Sequence, residues 1–285
     1  MTLVWSGLSL GAVYALVAIG YNIVYISSHS FNFAHAQLMM VGTFVAYTGL
    51  VTFQLPVIAV ALIAAVTVML LAGLEERFAV RLADDHKSQI VVTLGAATVL
   101  NGVAQLIWGS EPLRVPFFGP SQIISLAGGR IYPVEITLLA ITVVLVIVLG
   151  VLSRRLLLGL ALWGMSEDRE AATLRGINVR RLTFGAFAFS GALAGVLGLF
   201  VGPKTFAIAT LGVALALKGF VALAIGGFGS LPGALVGGLT VGLVEAAATF
   251  YLGSEYGGIA VFAMLIAILL ARPAGLFTRV RERTV

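Results

Sequence analysis

The chain has 285 residues, of which 60% are apolar and only 10% charged, against roughly 25% charged in an ordinary soluble domain. Its mean hydropathy is +1.09. A soluble protein of this length cannot hide that much apolar surface, and a disordered chain would be polar and charge-rich. Composition alone therefore requires a polytopic membrane protein. Cysteine is absent, which removes thiolate chemistry, cysteine zinc sites and disulfides. The net charge of +5 sits in arginine patches beside apolar runs, the pattern of membrane topology rather than of nucleic-acid binding. Met1–Ser6 has no Lys or Arg, and the apolar run continues to Ile26, too long for the core of a cleaved signal.

A membrane span needs about 20 mostly apolar residues. Candidates in chain order are Leu3–Ile26, Ala34–Phe53, Pro56–Leu74, Ile90–Trp108, Val134–Leu152, Leu182–Gly202, Ala207–Phe228, Leu235–Leu252 and Ile259–Ala271. The second follows the polar run Ser27-Ser28-His29-Ser30, and the seventh carries Lys218. The expected fold is thus all-α: one transmembrane helix bundle over residues 1–285, with eight or nine spans and re-entrant or broken segments. Thirteen of the seventeen basic residues fall in three stretches, Glu75–Gln89, Ser153–Arg181 and the tail from Arg272. Those stretches are predicted to be cytoplasmic. Three spans before Glu75 then place the N-terminus outside.

Small residues four apart let helix backbones approach closely. The chain has Gly7/Gly11, Gly191/Gly195, Gly198/Gly202, Gly229/Gly233, Gly233/Gly237 and Gly238/Gly242, which fit either packing inside one bundle or a subunit interface. Of twelve acids, only Glu245 lies well inside an apolar run. It is either a functional carboxylate or a group bonded to a neighbouring helix. The histidines, His29, His35 and His86, lack metal-binding spacing, and neither a phosphate-binding loop nor a nucleophile elbow is present. The sequence thus supplies no catalytic residue and no metal ligand.

Two polar segments interrupt the apolar pattern. Ser27–Gln37 contains Asn32, His35 and Gln37; Gly226–Gly233 contains Gly227, Gly229 and Pro232. Non-helical backbone survives at membrane depth only when it is buried in protein or lines a wet cavity, and transporters route substrate past such breaks. The alternative is an ordinary polar turn. In Ser153–Arg181, Ser166 is expected to cap a helix of about nine residues, with Glu167, Asp168 and Glu170 at its positive end. Ala171, Ala172 and Leu174 would form its small face, and Gly176 its left-handed stop before Ile177. Such an element either docks in a partner's groove or lies as a linker on the bilayer.

The run E-D-R-E-A-A-T-L-R-G-I-N, Glu167–Asn178, resembles the cytoplasmic coupling loop of ABC importer permeases of the branched-chain amino acid type. Gly7–Gly20, F-N-F-A-H at Phe31–His35, Lys218–Glu245 and R-P-A-G-L-F at Arg272–Phe277 are similar to that family as well. The likeness runs from Gly7 to Phe277. The chain departs from the family where Ala36-Gln37 replaces a Gly-Glu pair, and at Leu156–Met165, where Leu160 and Trp163 stand at expected basic positions.

The resemblance implies a non-catalytic permease in a bacterial-type inner membrane. Implied partners are a second permease subunit, two ABC ATPase subunits that carry the ATP-Mg, an extracytoplasmic substrate-binding protein and membrane lipid, with no nucleic acid. This chain itself would bind no cofactor. Its cargo would be branched-chain or related amino acids, with urea or short amides as alternatives. An ion-coupled secondary transporter using Glu245 is the competing reading. Topology is checked by single cysteines. One at Ser88 or Thr173 should react with impermeant thiol reagents only from the cytoplasmic side, and one at Ser121 only from outside. Labelling of position 173 from outside would reverse the orientation.

Overall fold

A computed structural model describes residues 1–83, 85–120, 122–126, 128–273 and 275–277. Asp84, Ser121, Ala274 and the tail's Arg279, Arg281, Glu282 and Arg283, with the side chain of His86, lie outside the described residues. Eleven α-helices follow in order among them: α1 (Thr2–Ser28), α2 (His35–Tyr47), α3 (Val57–Phe78), α4 (His86–Trp108), α5 (Pro133–Arg155), α6 (Leu157–Glu167), α7 (Arg169–Leu174), α8 (Val179–Thr205), α9 (Leu211–Gly226), α10 (Leu231–Tyr251) and α11 (Tyr256–Ala271). Six are long and apolar enough to cross a membrane, and α9 and α11 are shorter apolar helices. Each expected span is matched by a helix. A small departure from the all-α expectation is a hairpin of β1 (Ile124–Leu126) and β2 (Gly129–Ile131), antiparallel with Ser125 opposite Arg130. It lies against the start of α1, where the Arg130 amide donates to Thr2 Oγ1 at 3.2 Å.

Two helices are held back from the ends of the bundle. α1 stops at His29, whose φ is 55°, and the chain then runs without helix through residues 30–34. The His35 ring, which opens α2, packs against Gly20, eight residues before the end of α1 and about 12 Å inside it along the axis. α8 likewise stops at Phe206, with φ 62°. The following segment enters from the opposite end, and the Ala209 carbonyl accepts from Asn101 Nδ2 at 2.8 Å, seven residues inside α4. Only then does α9 begin. The sequence reading placed the second break at Gly226–Gly233 and ran a span from Ala207. The structure interrupts the helix at both places: residues 206–210 separate α8 from α9, and residues 227–230 form the turn between α9 and α10. Glycine density alone does not distinguish the two.

These breaks belong to an inverted repeat. α1 and α8 both have 27 residues, and an offset of 177 carries Thr2 to Val179, Ser28 to Thr205 and His29 to Phe206. The same offset carries Gly42 of α2 to Gly219 of α9. Gly42 lies against the Ala194 and Gly195 backbone of α8, and Gly219 against Val17 of α1, the residue that the offset pairs with Ala194. α1 packs on α10 as α8 packs on α3, and α2 on α8 as α9 on α1. The two halves run in opposite directions, the architecture of many transporters with midplane sites.

The paired glycines pack inside the bundle. Gly7 and Gly11 meet Gly238, Leu239 and Gly242 of α10; Gly191 and Gly195 meet Ala64, Val68 and Ala72 of α3; Gly198 meets Gly42, Gly202 meets Val115, Gly233 meets Gly226 and Gly237 meets Ala222. At Gly229 nothing lies within 4 Å of an added Cβ. Apolar residues such as Ile58, Leu106 and Leu270 remain exposed on α3, α4 and α11, where lipid is their natural solvent. The ends of α3, α5 and α11 and the starts of α4 and α8 gather at one end of the bundle, so the described parts of its three basic stretches share that end.

A methyl at Gly11 would stand 2.7 Å from the Gly238 carbonyl oxygen, so a side chain there must separate α1 from α10. Overpacking of this kind costs about 1–3 kcal/mol. Gly11→Val should melt clearly lower than wild type in detergent, whereas Gly150→Ala, with open space around it, should not. A Gly11→Val protein with wild-type Tm would contradict this packing.

Candidate functional site

The first break is held by side chains. Asn32 Oδ1 accepts the Ala34 amide at 2.9 Å, and its Nδ2 donates to Glu75 Oε2 at 3.0 Å. His35 Nδ1 lies 3.1 Å from Ser190 Oγ, which also reaches the Gly20 carbonyl at 3.2 Å. An Nδ1–H donating to Ser190, whose hydroxyl donates on to Gly20, satisfies both groups and leaves Nε2 as an acceptor. Gln37 packs against Gly212 at the start of α9. Asn32, His35 and Gln37 are all buried. Glu75 Oε1, His35 Nε2 and Gln37 Oε1, with Ser30 Oγ and Gln89 Oε1, are buried without a partner among the described residues. Buried polar groups are normally satisfied, so this concentration makes the segment a candidate site.

Aromatic rings fill the space between this break and α9. Phe31 stacks on Tyr25 at 5.2 Å and meets Phe228 and Phe220 edge-on at 5.2 and 5.7 Å. Phe33 lies 5.7 Å from Phe220. The turn after α9 is anchored to α1: Asn22 Oδ1 accepts the Gly229 amide at 2.7 Å, and its Nδ2 donates to the Ser230 carbonyl at 3.0 Å. Gly227 and Gly229 have φ of 100° and 80°, which explains the glycines there. Pro232 stands in the first turn of α10, where its missing N–H costs nothing. Ser230 Oγ caps that helix through the Gly233 amide.

Glu245 lies on α10 at the level of the middle of α1. Tyr14 donates to its Oε2 at 2.8 Å, and Lys218 of α9 pairs with its Oε1 while reaching the Tyr14 hydroxyl at 3.2 Å. The helix-to-helix bond envisaged for Glu245 is therefore present, with a lysine as partner. Glu135 does similar work toward the far end, joining Lys204 of α8 and Ser9 of α1.

The basic end carries α7. It has six residues rather than about nine, because a separate α6 fills Leu157–Glu167. Ser166 is not its cap: that hydroxyl donates back to the Trp163 carbonyl at 2.7 Å. Asp168 is, with Oδ1 accepting the Glu170 and Ala171 amides at 2.9 and 3.0 Å. Gly176, at φ 85°, closes the helix; its amide bonds to Thr173 O, and that of Ile177 to Ala172 O, the paired bonds of a Schellman stop. Ala172 faces back into the chain, whereas Leu174 is 89% exposed among charged neighbours, so the two do not share a face as the sequence suggested. Glu167, Asp168 and Glu170 are exposed, while Ala171 and Ile177 are half-buried. Arg169 ties the element to the bundle, donating to the Ser28 carbonyl at the end of α1 at 3.3 Å.

The model of the family described as branched-chain amino acid transport system, permease component, matches residues 3–269. The chain belongs to this family. It is 30% identical, over 96% of its length and 94% of theirs, both to the high-affinity branched-chain amino acid transport system permease protein LivH of Salmonella typhimurium and to its counterpart BraD of Pseudomonas aeruginosa. A ribose import permease of Haemophilus influenzae is 25% identical over 82% of the chain and 75% of its own length. No solved structure matches. The protein is thus a multi-pass membrane permease component without catalytic function of its own.

In this permease component the sequence pointed to Asn32, His35, Gln37 and Glu245 as candidates but not to the side chains they meet. Tyr14, Ser190 and Lys218 come from helices far apart in sequence, which only the inverted repeat brings together. Asn22 and Asn101 were polar residues inside apolar runs, a signal open to use in the way Glu245 was.

Proposed function

We propose that this chain forms, with a second identical or related permease subunit, the translocation path of an ABC importer for branched-chain or related amino acids, urea and short amides being alternatives. An extracytoplasmic binding protein would deliver the substrate, and two ATPase subunits would drive transport. The basic end is cytoplasmic, with eight or nine spans counting α2, α9 and α11. Glu167, Asp168, Glu170, Ala171, Ala172, Leu174, Gly176 and Ile177 make the ATPase contact. Asn32, His35, Gln37, Gly227, Gly229, Pro232 and Glu245 border the pathway.

The observation that carries this reading is the build of α7. A six-residue helix fixed at both ends presents one bare leucine among charges, an apolar anchor too small to bury itself. It is bonded through Arg169 to the last turn of α1, next to the first break. A push on α7 is thereby passed to the end of α1, beside the first break. The pairing of Glu245 with Lys218 favours this reading over an ion-coupled carrier, since its charge is already compensated.

Leu174→Asp should leave the spans folded, because exposed positions tolerate change, yet remove the anchor. Gly176→Val strains the positive-φ stop. Loss of a buried anchor costs about 1–3 kcal/mol, roughly a tenfold to hundredfold loss in affinity. Both variants should co-purify with less ATPase than wild type at equal expression. Full retention of the ATPases with normal uptake would make the segment a passive linker.

A further inference from the structure

The Lys218–Glu245 pair lies where the fold does not need charge. The repeat offset carries Tyr14 to Gly191 and Lys218 to Val41. On the other side of the molecule Gly191 simply packs against Ala72 and Val68 of α3, and Val41 is buried in the apolar core. One copy of this helix crossing is therefore built from small and apolar side chains, while its mirror image carries a lysine, a glutamate and a tyrosine. Charged side chains within a span are costly and seldom kept for packing.

Neither charge is fully enclosed. The side chains are 24% exposed for Lys218 and 13% for Glu245. Glu245 lies on the wall of an open groove of about 650 Å³ between the first half of α1 and the last half of α10, with Ser6, Leu10 and Thr249 beside it, while Lys218 and Tyr14 are not part of that lining. Its lining residues Thr2, Leu3, Thr249 and Phe250 stand at the end of the bundle opposite the basic one, the side from which an importer receives its cargo.

We propose that Lys218, Glu245 and Tyr14 form a recognition site for the zwitterionic head of an α-amino acid. The inference rests on the importer reading above and deepens it. At rest the lysine ammonium and the glutamate carboxylate satisfy each other, with the Tyr14 hydroxyl donating to Glu245 and the lysine lying 5.4 Å from the Tyr14 ring centre. An incoming amino acid carries the same two charges. Its ammonium takes the place of Lys218 on Glu245, and its carboxylate takes the ammonium of Lys218. The exchange keeps the site neutral and leaves every charge paired, which a buried ion pair requires. Sugars and urea carry no charge and cannot part the pair, and a bare cation would have to displace a covalently tethered one.

The test uses the complete importer in proteoliposomes, with its binding protein and ATPases, and ATP-driven uptake of L-leucine. A single neutralisation strands the other charge and endangers folding, so the informative protein is the double variant Lys218→Met with Glu245→Gln, nearly equal in volume. The site predicts assembly with the ATPases and a wild-type Tm, but a loss of leucine uptake of about tenfold to hundredfold, the worth of a charge-assisted hydrogen bond. Leucine uptake at the wild-type rate would make the pair a replaceable strut and overturn the inference. Failure of the double variant to assemble would make it a structural necessity, with the same consequence. If the wild-type importer itself takes up no leucine with ATP, it is the proposed cargo that is wrong.

Discussion

Backbone N–H and C=O groups in the hydrocarbon of a membrane have no water to bond, so any departure from helix there must be satisfied by the protein itself. This chain departs from helix inside the bundle after α1, after α8 and at the turn after α9, and much of its polar chemistry answers that constraint. Asn32 closes the first segment on its own backbone and on Glu75. Asn101 holds the second through the Ala209 carbonyl. Asn22 fastens the turn after α9 to α1 by two bonds. Each asparagine is a small rigid amide able to donate and accept at once, which suits it to replace a missing helical bond.

The same constraint joins the candidate coupling element to the candidate path. The last carbonyls of α1 are left without helical partners by the break, and Arg169 of α7 takes the one at Ser28. Thr183 of α8 reaches the one at Ser27 at 3.3 Å. The irregular segment, the end of α1, the short exposed helix and the start of α8 thus form one hydrogen-bonded unit at the basic end. Aromatic packing of Phe31 and Phe33 on Phe220 and Phe228 extends that unit to α9, whose Lys218 meets Glu245. A displacement of α7 has a continuous physical route to the middle of the bundle.

Much of this was legible in the sequence, because composition and hydropathy report burial in lipid directly. The nine apolar runs each became a helix, and the polar run at Ser27–Gln37 became a break. The second break was legible only in part, since the gap read between Gly202 and Ala207 stops short of the start of α9 at Leu211. Residues 206–210 are Phe-Ala-Ile-Ala-Thr, as apolar as a span, and no turn signal marks them; only the partnership with Leu113, Asn101 and the repeat reveals the rest. Glycine at Gly226–Gly233 did mark a departure from helix, at residues 227–230, where it serves a positive-φ turn and a close crossing. The inverted repeat was hidden, as its halves share geometry and spacing more than residues: Tyr14 matches Gly191, and Lys218 matches Val41. For the short helix, Asp168 rather than Ser166 became the cap because Ser166 still lies inside α6 and turns its hydroxyl to Trp163.

The most direct test of the dependence on buried amides is hydrogen exchange at the turn after α9. The Gly229 amide bonds only to the buried Asn22 side chain, so its exchange reports that bond. Amide exchange across Gly227–Ser230, measured in wild type and in Asn22→Leu, should be slow in the first and about tenfold or more faster in the second, because a lost buried hydrogen bond costs about 1–3 kcal/mol. Fast exchange in the wild-type protein, or equal protection in both, would contradict the account that buried asparagine side chains hold the non-helical segments in place.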